Sequence, residues 1–486
     1  MICLLAFLSA SFPTKAREYC GNEQRRDTLS YLVEMAPSFS GGGQTPFWLV
    51  NNRNGLSSLK ENNGYLRAGF FGSMKGNGRW KWDFGADLAV AYNFTSTFII
   101  QQLYAEVQYW NFKLSAGSKI RNPLFNDTRL SSGDLLFSGN ARPIPQLRLE
   151  IPDYIDVPGT QHWFGVKGYG AFGRFTDDGW QRKFVGPDGA RTRQVLFHGK
   201  GGWIRIGNED KFPLVFEGGL EMAAQWGGMR IANGKTFKMP HNLKSALKII
   251  ICKSGGSDTP MSDQMNCEGN HVGEWSASLK WKGDGWSARA YYEHFFEDHS
   301  MMFFDYAWKD MLLGLEFELP RNPVLAKFVY EYINTKDQSG AVYWDHTPDI
   351  NEQVSGRDTY YNHYFYNGWQ HWGMGIGNPL IISPIYNDSH GIYFRCNRIK
   401  GHHFGLEGKP IPSLKWRMLL SYTRGWGTYE SPFKEIQNNI NGLAEITWDA
   451  SFWRGLSFTL AGAFDAGSML GKSAGVMLTV RKTGIL

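Results

Sequence analysis

The chain has 486 residues, 15% of them aromatic, with 57 glycines and a mean hydropathy of −0.37. Its formal charge of +6 includes no basic run of the kind that reads as a nucleic-acid surface, though it allows attraction to acidic glycans or lipid head groups. Past the N-terminus no stretch approaches the roughly 18 apolar residues of a transmembrane helix, and five scattered cysteines are too few for a disulfide scaffold.

Residues 1–16 run from the apolar Met1–Phe12 into small residues and Ala16, the pattern of a signal peptide cleaved after Ala16. Residues 17–27 read as a short periplasmic segment, and 28–486 as one membrane barrel without a linker or second domain. A long connection is expected near 39–63, carrying Thr45-Pro-Phe-Trp48 with Asn51 and Arg53. Trp80 to Tyr92 is the clearest strand. Trp80, Trp82, Phe84, Ala86, Leu88, Val90 and Tyr92 share one parity, and Lys81, Asp83, Gly85 and Asp87 the other. Period two places the sets on opposite faces. At ~3.3 Å per residue and a tilt near 40° the segment stands ~30 Å tall, the height of a bilayer core. Soluble strands average only ~5–6 residues.

The same alternation recurs at 102–109, 214–225, 275–281 and 414–423. Leu243, Ala246, Leu247 and Ile250 fall at helical spacing, so a short helix is expected within 239–251. Cys252 and Cys267 flank a Gly/Ser/Asp-rich segment, where a staple and two free thiols both fit. Glu293, His294, Glu297, Asp298 and His299 are residue types that bind metals, but neighbours on a strand face opposite ways, so a polar network at a strand end is expected. His402-His403 reads the same way. Near the C-terminus, Ala466–Ser473 fits a relaxed phosphate-loop pattern, and Gly471-Lys-Ser-Ala-Gly475 a nucleophile-elbow pattern. The first needs a helix to follow and the second a later acid and His; a final barrel hairpin is expected in their place. No catalytic site, metal or cofactor is expected.

Tight turns are expected at 76–78, 110–111, 208–213, 282–285, 320–323, 409–413 and 449–454, with long connections near 39–63, 120–145, 176–200, 227–273 and 335–391. Strict alternation of short and long implies about eighteen antiparallel strands, periplasmic turns and termini, and extracellular loops that plug the lumen. The longest loop holds the densest aromatic and amide stretch, Tyr360 to Pro379. Rings stack on the C–H faces of sugars while Asn, Gln and His bond hydroxyls. The candidate glycan-binding residues are therefore Tyr360, Tyr361, His363, Trp369, Gln370, His371 and Trp372, with Trp48, Asn51, Arg53 and Trp426 on other loops. The competing reading of that stretch is a loop packed upon itself as a plug.

Several of these segments resemble the capsule assembly protein Wzi family. The residues that carry the likeness are Thr45-Pro-Phe-Trp48 with Asn52–Ser57, Gly139–Gln146 with Glu150-Ile-Pro152, Gly255–Pro260, Glu297–Ser300 and Trp369-Gln-His-Trp-Gly373, across about Thr28 to Gly484. The resemblance implies an eighteen-stranded outer-membrane barrel closed by its loops and a lectin-like role in holding capsular polysaccharide at the cell surface. It implies no enzyme activity. One departure is that no periplasmic segment here is long enough for the helical bundle beneath the barrel of the best-known member.

The expected protein is thus a monomer in the bacterial outer membrane. Its partners would be a capsular or other surface polysaccharide, outer-membrane lipid and the outer-membrane assembly machinery. The rival is a channel or transporter for sugars or other small solutes, which needs an open polar lumen. An outer-membrane hydrolase and a soluble secreted β protein stand further off. On the surface-platform reading, Trp369→Ala and Trp372→Ala loosen the polysaccharide at unchanged barrel yield.

Overall fold

The computed structural model describes residues 27–76, 78–259, 263–264, 267–297, 309–338 and 358–486. The signal-peptide expectation for 1–16 lies outside them. The first half of the sheet comprises β1 (Thr28–Gly41), β2 (Asn62–Lys75), β3 (Trp80–Tyr92), β4 (Phe98–Tyr109), β5 (Phe112–Ser118), β6 (Gln146–Asp156), β7 (Phe164–Arg174), β8 (Leu196–Ile206) and β9 (Leu214–Trp226). The second half comprises β10 (Asn270–Gly283), β11 (Trp286–Glu297), β12 (Met311–Glu318), β13 (Lys327–Asn334), β14 (Ile399–Ile411), β15 (Leu414–Gly427), β16 (Pro432–Asp449), β17 (Leu456–Gly467) and β18 (Ser473–Ile485). All eighteen join one sheet. It closes where β1 pairs antiparallel with β18, Ser30 opposite Ile485 and Gly41 opposite Ala474.

The expected face assignment holds along β3. Leu88, Val90 and Tyr92 are exposed on the outer face, while Asp87, Ala89 and Ala91 are buried inward. The outer face of the barrel carries an apolar band, and its turn end carries exposed rings that include Trp80, Trp110, Trp163, Phe212, Trp281 and Trp448. Amphipathic rings at that level mark a membrane–water boundary. Inside the wall, polar side chains satisfy one another. Arg67 donates to Asp87 at 2.8 and 2.5 Å, Tyr65 to Glu34 at 2.6 Å, and Arg481 also donates to Glu34, so the seam between first and last strands is tied on the lumen side.

The seven expected tight turns all form, and an eighth, 157–163, joins β6 to β7. Pro152 and a register irregularity between Ile151 and Ile155 interrupt the alternation of β6, which is why its hairpin escapes a pattern search. Strict alternation of short and long connections is corrected. Residues 93–97, 428–431 and 468–472 are short connections at the loop end. Loop length there is unconstrained, because antiparallel neighbours need only a hairpin. The helix expected within 239–251 is Leu243–Ile251, and Cys252 is bonded to Cys267. Ser473 opens β18, as expected of a final hairpin, and its hydroxyl donates to Asp465 at 3.0 Å.

Leu103 lies outward near mid-height on β4, opposite Ala86. Leu103→Arg is expected to cost about 2–4 kcal/mol of barrel stability, because a cation at the bilayer midplane has no partner. Urea unfolding in lipid vesicles, read by intrinsic fluorescence, measures it.

Candidate functional site

The loop end of the lumen is filled from within. Loop 42–61 carries the short helix α1 (Phe47–Val50), all four of its residues buried. Phe47, Trp48, Leu49 and Val50 join one continuous core with Phe125, Leu130, Leu135 and Leu136 of loop 119–145 and with the 358–398 part of loop 335–398. Inward side chains of the wall, among them Tyr291, Leu312, Val329, Leu419 and Leu443, complete it.

Ion pairs and buried hydrogen bonds stake this plug to the wall. Asp127 pairs with Lys327 at 2.8 Å and Arg129 with Glu407 at 2.9 Å. Glu331 of β13 accepts from Ser131 Oγ, from Ser132 N at 2.7 Å and from Tyr291 OH. Glu293 of β11 accepts from Leu135 N at 2.9 Å. All of these but the Tyr291 bond cross from loop to strand, so lumen carboxylates that would otherwise be stranded in a low-dielectric interior gain plug N–H and O–H partners.

The surface-platform reading of the 360–379 stretch is corrected by its burial. Trp369 has 0% exposure, its Nε1 donates to Leu136 O at 2.9 Å, and its ring meets Phe137, Phe175 and Phe197. Tyr360 donates to Asp310 at 3.1 Å, and Tyr361 donates to Leu135 O while accepting from Asn378 N at 3.0 Å. Gln370 donates to Asp177 at 3.1 Å, and His371 bonds Arg142 O and Thr176 at 2.9 and 3.0 Å. Trp48 packs on His403 at 5.2 Å, and Asn51 donates to Phe47 O and Tyr386 OH. None of these seven has a free face. The packed-plug alternative is what forms.

The other four candidates are partly exposed. Trp372 lies under the Arg142 guanidinium, 4.3 Å from its ring centre, and His363 accepts from Phe365 N at 3.0 Å. Trp426 sits between Lys336 and Arg424, while Arg53 is only partly exposed. The structure therefore gathers candidates from loops 42–61 and 335–398 into one core but turns most of them inward, and it places Trp426 at the end of β15 rather than on a loop. The glycines between the rings carry the signal that sequence reading passed over. A Cβ at Gly377 would stand 2.1 Å from the Tyr361 hydroxyl and 2.3 Å from Leu135 O. Aromatics interleaved with such glycines pack against backbone rather than project from it.

Between the plug and the wall lies a cavity of about 290 Å³ lined by Lys119, Arg121, Arg148, Lys167, Tyr169 and Trp203 among others. Tyr169 stacks with Trp203 at 6.0 Å, and the Arg148 guanidinium lies 3.4 Å from the Tyr169 ring centre. Beside it Asp134, Glu274 and Glu293 each bring a carboxylate oxygen within 4.8 Å of the others, the grouping best suited to a cation among the described residues. Sequence reading singled out Glu293 with its strand neighbours and missed this set, because its members come from a loop and two strands. His294 instead faces away, bonded to Asp310 O at 2.9 Å. His403 is likewise buried against Ser421 and Leu130 O, and His402 exposed beside Tyr330, so neither pair shares a face.

No protein-family model matches the sequence, and no curated protein matches it. Solved structures do. The Escherichia coli outer-membrane protein Wzi, described as a carbohydrate-binding β-barrel involved in group 1 capsule assembly, matches with a TM-score of 0.55 at 14% identity, covering 93% of this chain and 83% of that one. The chain is an outer-membrane β-barrel of that fold. OccAB2 and OccAB4 of Acinetobacter baumannii match with TM-scores of 0.49 and 0.48 at 8% and 10% identity, covering 95% and 96% of this chain and 98% and 100% of theirs.

Two outcomes follow from the plug. Trp369→Ala removes a fully enclosed ring and is expected to cost about 3–5 kcal/mol of plug stability. That would appear as faster proteolysis within 358–398 while the barrel keeps its heat-modifiable migration, the reverse of a surface platform. The second concerns pH. Burial pushes the Asp310 carboxyl up to about 7, against the pull of N–H donors from Asp337 and Gln338 and the Tyr360 hydroxyl. A folded value above the ordinary one means that stability is full at low pH and lost as pH rises through about 7. Burial takes the His363 imidazole down to about 4, so its contribution is present above its ordinary 6.5 and lost as pH falls through about 4. Between about pH 6.5 and 8 proteolysis of 358–398 is therefore expected to accelerate, and Asp310→Asn to flatten that rise.

Proposed function

We propose that this protein is a monomeric, non-enzymatic outer-membrane lectin that holds capsular or other extracellular polysaccharide at the cell surface. Its loop end faces outward, and its turns and termini face the periplasm. The observation that carries this reading is the packed core across the loop end of the lumen, built chiefly from loops 42–61, 119–145 and 335–398 and the wall. A conduit needs that space for water, whereas a binding platform needs it rigid. The fold shared with Wzi, a protein described as carbohydrate-binding, supports the same reading.

The contacts are made by what the plug leaves outside. Tyr364 is 79% exposed, with the Arg230 guanidinium 5.5 Å from its ring centre, and Arg230 is itself fixed by Asn367 Oδ1 at 2.7 Å. Tyr393 and the partly exposed Trp372 stand on the same loop. A ring with a neighbouring cation suits an acidic sugar, and weak contacts repeated along a polymer add up to retention.

Tyr364→Ala is expected to lower polysaccharide retained on cells at least threefold at unchanged barrel yield, and the purified protein to give no steady conductance steps in planar bilayers. Ohmic single-channel steps, together with unchanged retention, would instead establish the channel reading.

A further inference from the structure

Loop 227–269 divides: Met239 joins the plug core and Arg230 reaches Asn367, whereas the stretch around its helix folds back over the outside of the wall. The helix α2 (Asp178–Val185) belongs to loop 175–195, and α3 (Leu243–Ile251) to this one. On β9 the even-numbered residues face outward, and Phe216 near the turn end is exposed accordingly. Met222, Ala224 and Trp226 share that parity yet are buried. What covers them is this loop. Ile249 and Ala246 of α3 pack on Ala224, Trp226 and Leu196, while Cys252 and Cys267 pack with Met222 and Phe296. Lys200, also outward, donates to the carbonyl of Ile250.

The helix presents a second apolar stripe on its far side. Ser245 and Ile249 face the barrel. Positions two residues away are turned by about 200°, so Leu243, Leu247 and Ile251 point away from the wall. Their exposures are 78%, 50% and 62%. Phe237, on the hairpin of Met229–Ala232 and Lys235–Lys238, is exposed as well. The stripe thus restores the apolar surface that the loop hides. Lower on the same strands that surface continues as Ile204, Phe216 and Leu279, all exposed.

Charge selects what meets the stripe. From 227 to 257 the chain carries Arg230, Lys235, Lys238, Lys244, Lys248 and Lys253 and no Asp or Glu. Lys248 pairs with Glu268 at 3.0 Å, whereas Lys235, Lys238, Lys244 and Lys253 have no carboxylate partner among the described residues. An apolar stripe flanked by lysines, lying against a barrel wall at its rim, has the make-up of an interfacial helix on an anionic membrane surface.

We propose that α3 and the hairpin before it form a lipid-docking collar, with Leu243, Leu247 and Ile251 in the acyl layer and Lys235, Lys238, Lys244 and Lys253 on the phosphates of anionic lipids around the barrel. The disulfide between Cys252 and Cys267 fastens the collar to the wall, so its depth is set by the barrel rather than by the loop's own flexibility.

The full chain, with Cys3→Ser and Cys20→Ser, can carry a nitroxide on Leu247→Cys, with Ser257→Cys as a second, polar position. In vesicles containing phosphatidylglycerol, the label at 247 is expected to collide at least about threefold more with oxygen than with a water-soluble nickel chelate, and the label at 257 to show the reverse. Replacing Lys235, Lys238, Lys244 and Lys253 together by Gln, or using pure phosphatidylcholine, is expected to lower the oxygen excess at 247. Heat-modifiable migration verifies that each variant is a folded barrel. Nickel access at 247 in the anionic vesicles overturns the docking. An oxygen excess indifferent to both lipid charge and the lysines overturns the choice of anionic lipid. A label shielded from both reagents, and cross-linking between copies, would replace lipid by a second copy of the chain.

Discussion

The pairing of β1 with β18 is the constraint on which the other features depend. In hydrocarbon an unpaired N–H or C=O costs several kcal/mol, so a sheet that spans a bilayer has to close on itself. Closure brings Ser30 against Ile485 across 455 positions of chain, and nothing local along the sequence specifies that contact. What specifies it is the sum of seventeen other hairpin or loop-linked pairs, each fixing its register by which face is apolar. The lumen-side ties of Glu34 to Arg481 and Tyr65 then secure the seam.

Closing a sheet of eighteen strands leaves an interior too wide for wall side chains alone to fill. The lumen wall is rich in carboxylates, and loops 42–61 and 119–145 answer them with backbone N–H groups, hydroxyls and cations. Ser132 N on Glu331, Leu135 N on Glu293 and Arg129 on Glu407 are three cases of one arrangement. Because the loops satisfy buried charges, the plug is part of the fold's electrostatics as well as its packing. This is also why Asp310, held between Gln338 N and Tyr360 OH, makes the anchoring of the last plug loop sensitive to pH.

How much of this was legible in the sequence differs between wall and plug. Strand β3 declares both faces in thirteen residues, because period two is a local property and both environments are extreme. The two-residue turn at Trp110-Asn111 is just as local, with Trp110 at φ 54°. The interior of the plug is not local. Trp369 meets Leu136 across 233 positions, and Tyr361 meets Leu135 across 226. The same rings and amides serve a sugar platform or a packed core, so composition alone cannot separate them; Gly373 and Gly377, with no room for a Cβ beside Trp180 and Tyr361, were the discriminating residues. The cluster of Asp134 with Glu274 and Glu293 was hidden for the same reason.

The loops take opposite paths, and their chemistry accounts for it. Loop 119–145 carries Asp127, Arg129 and a run of serines that meet charged wall residues, so its entry into the lumen satisfies both sides. Loop 227–269 carries six basic residues up to position 257 and a helix with apolar residues on two faces. Inside, one apolar face could join the core, but the other and the unpaired lysines would be stranded in a space already packed. Outside, one face meets Ala224 and Trp226, and the other continues the apolar band of the barrel. A helix apolar on both sides is stable only between two apolar media, and beside a membrane barrel the second medium is the acyl layer itself.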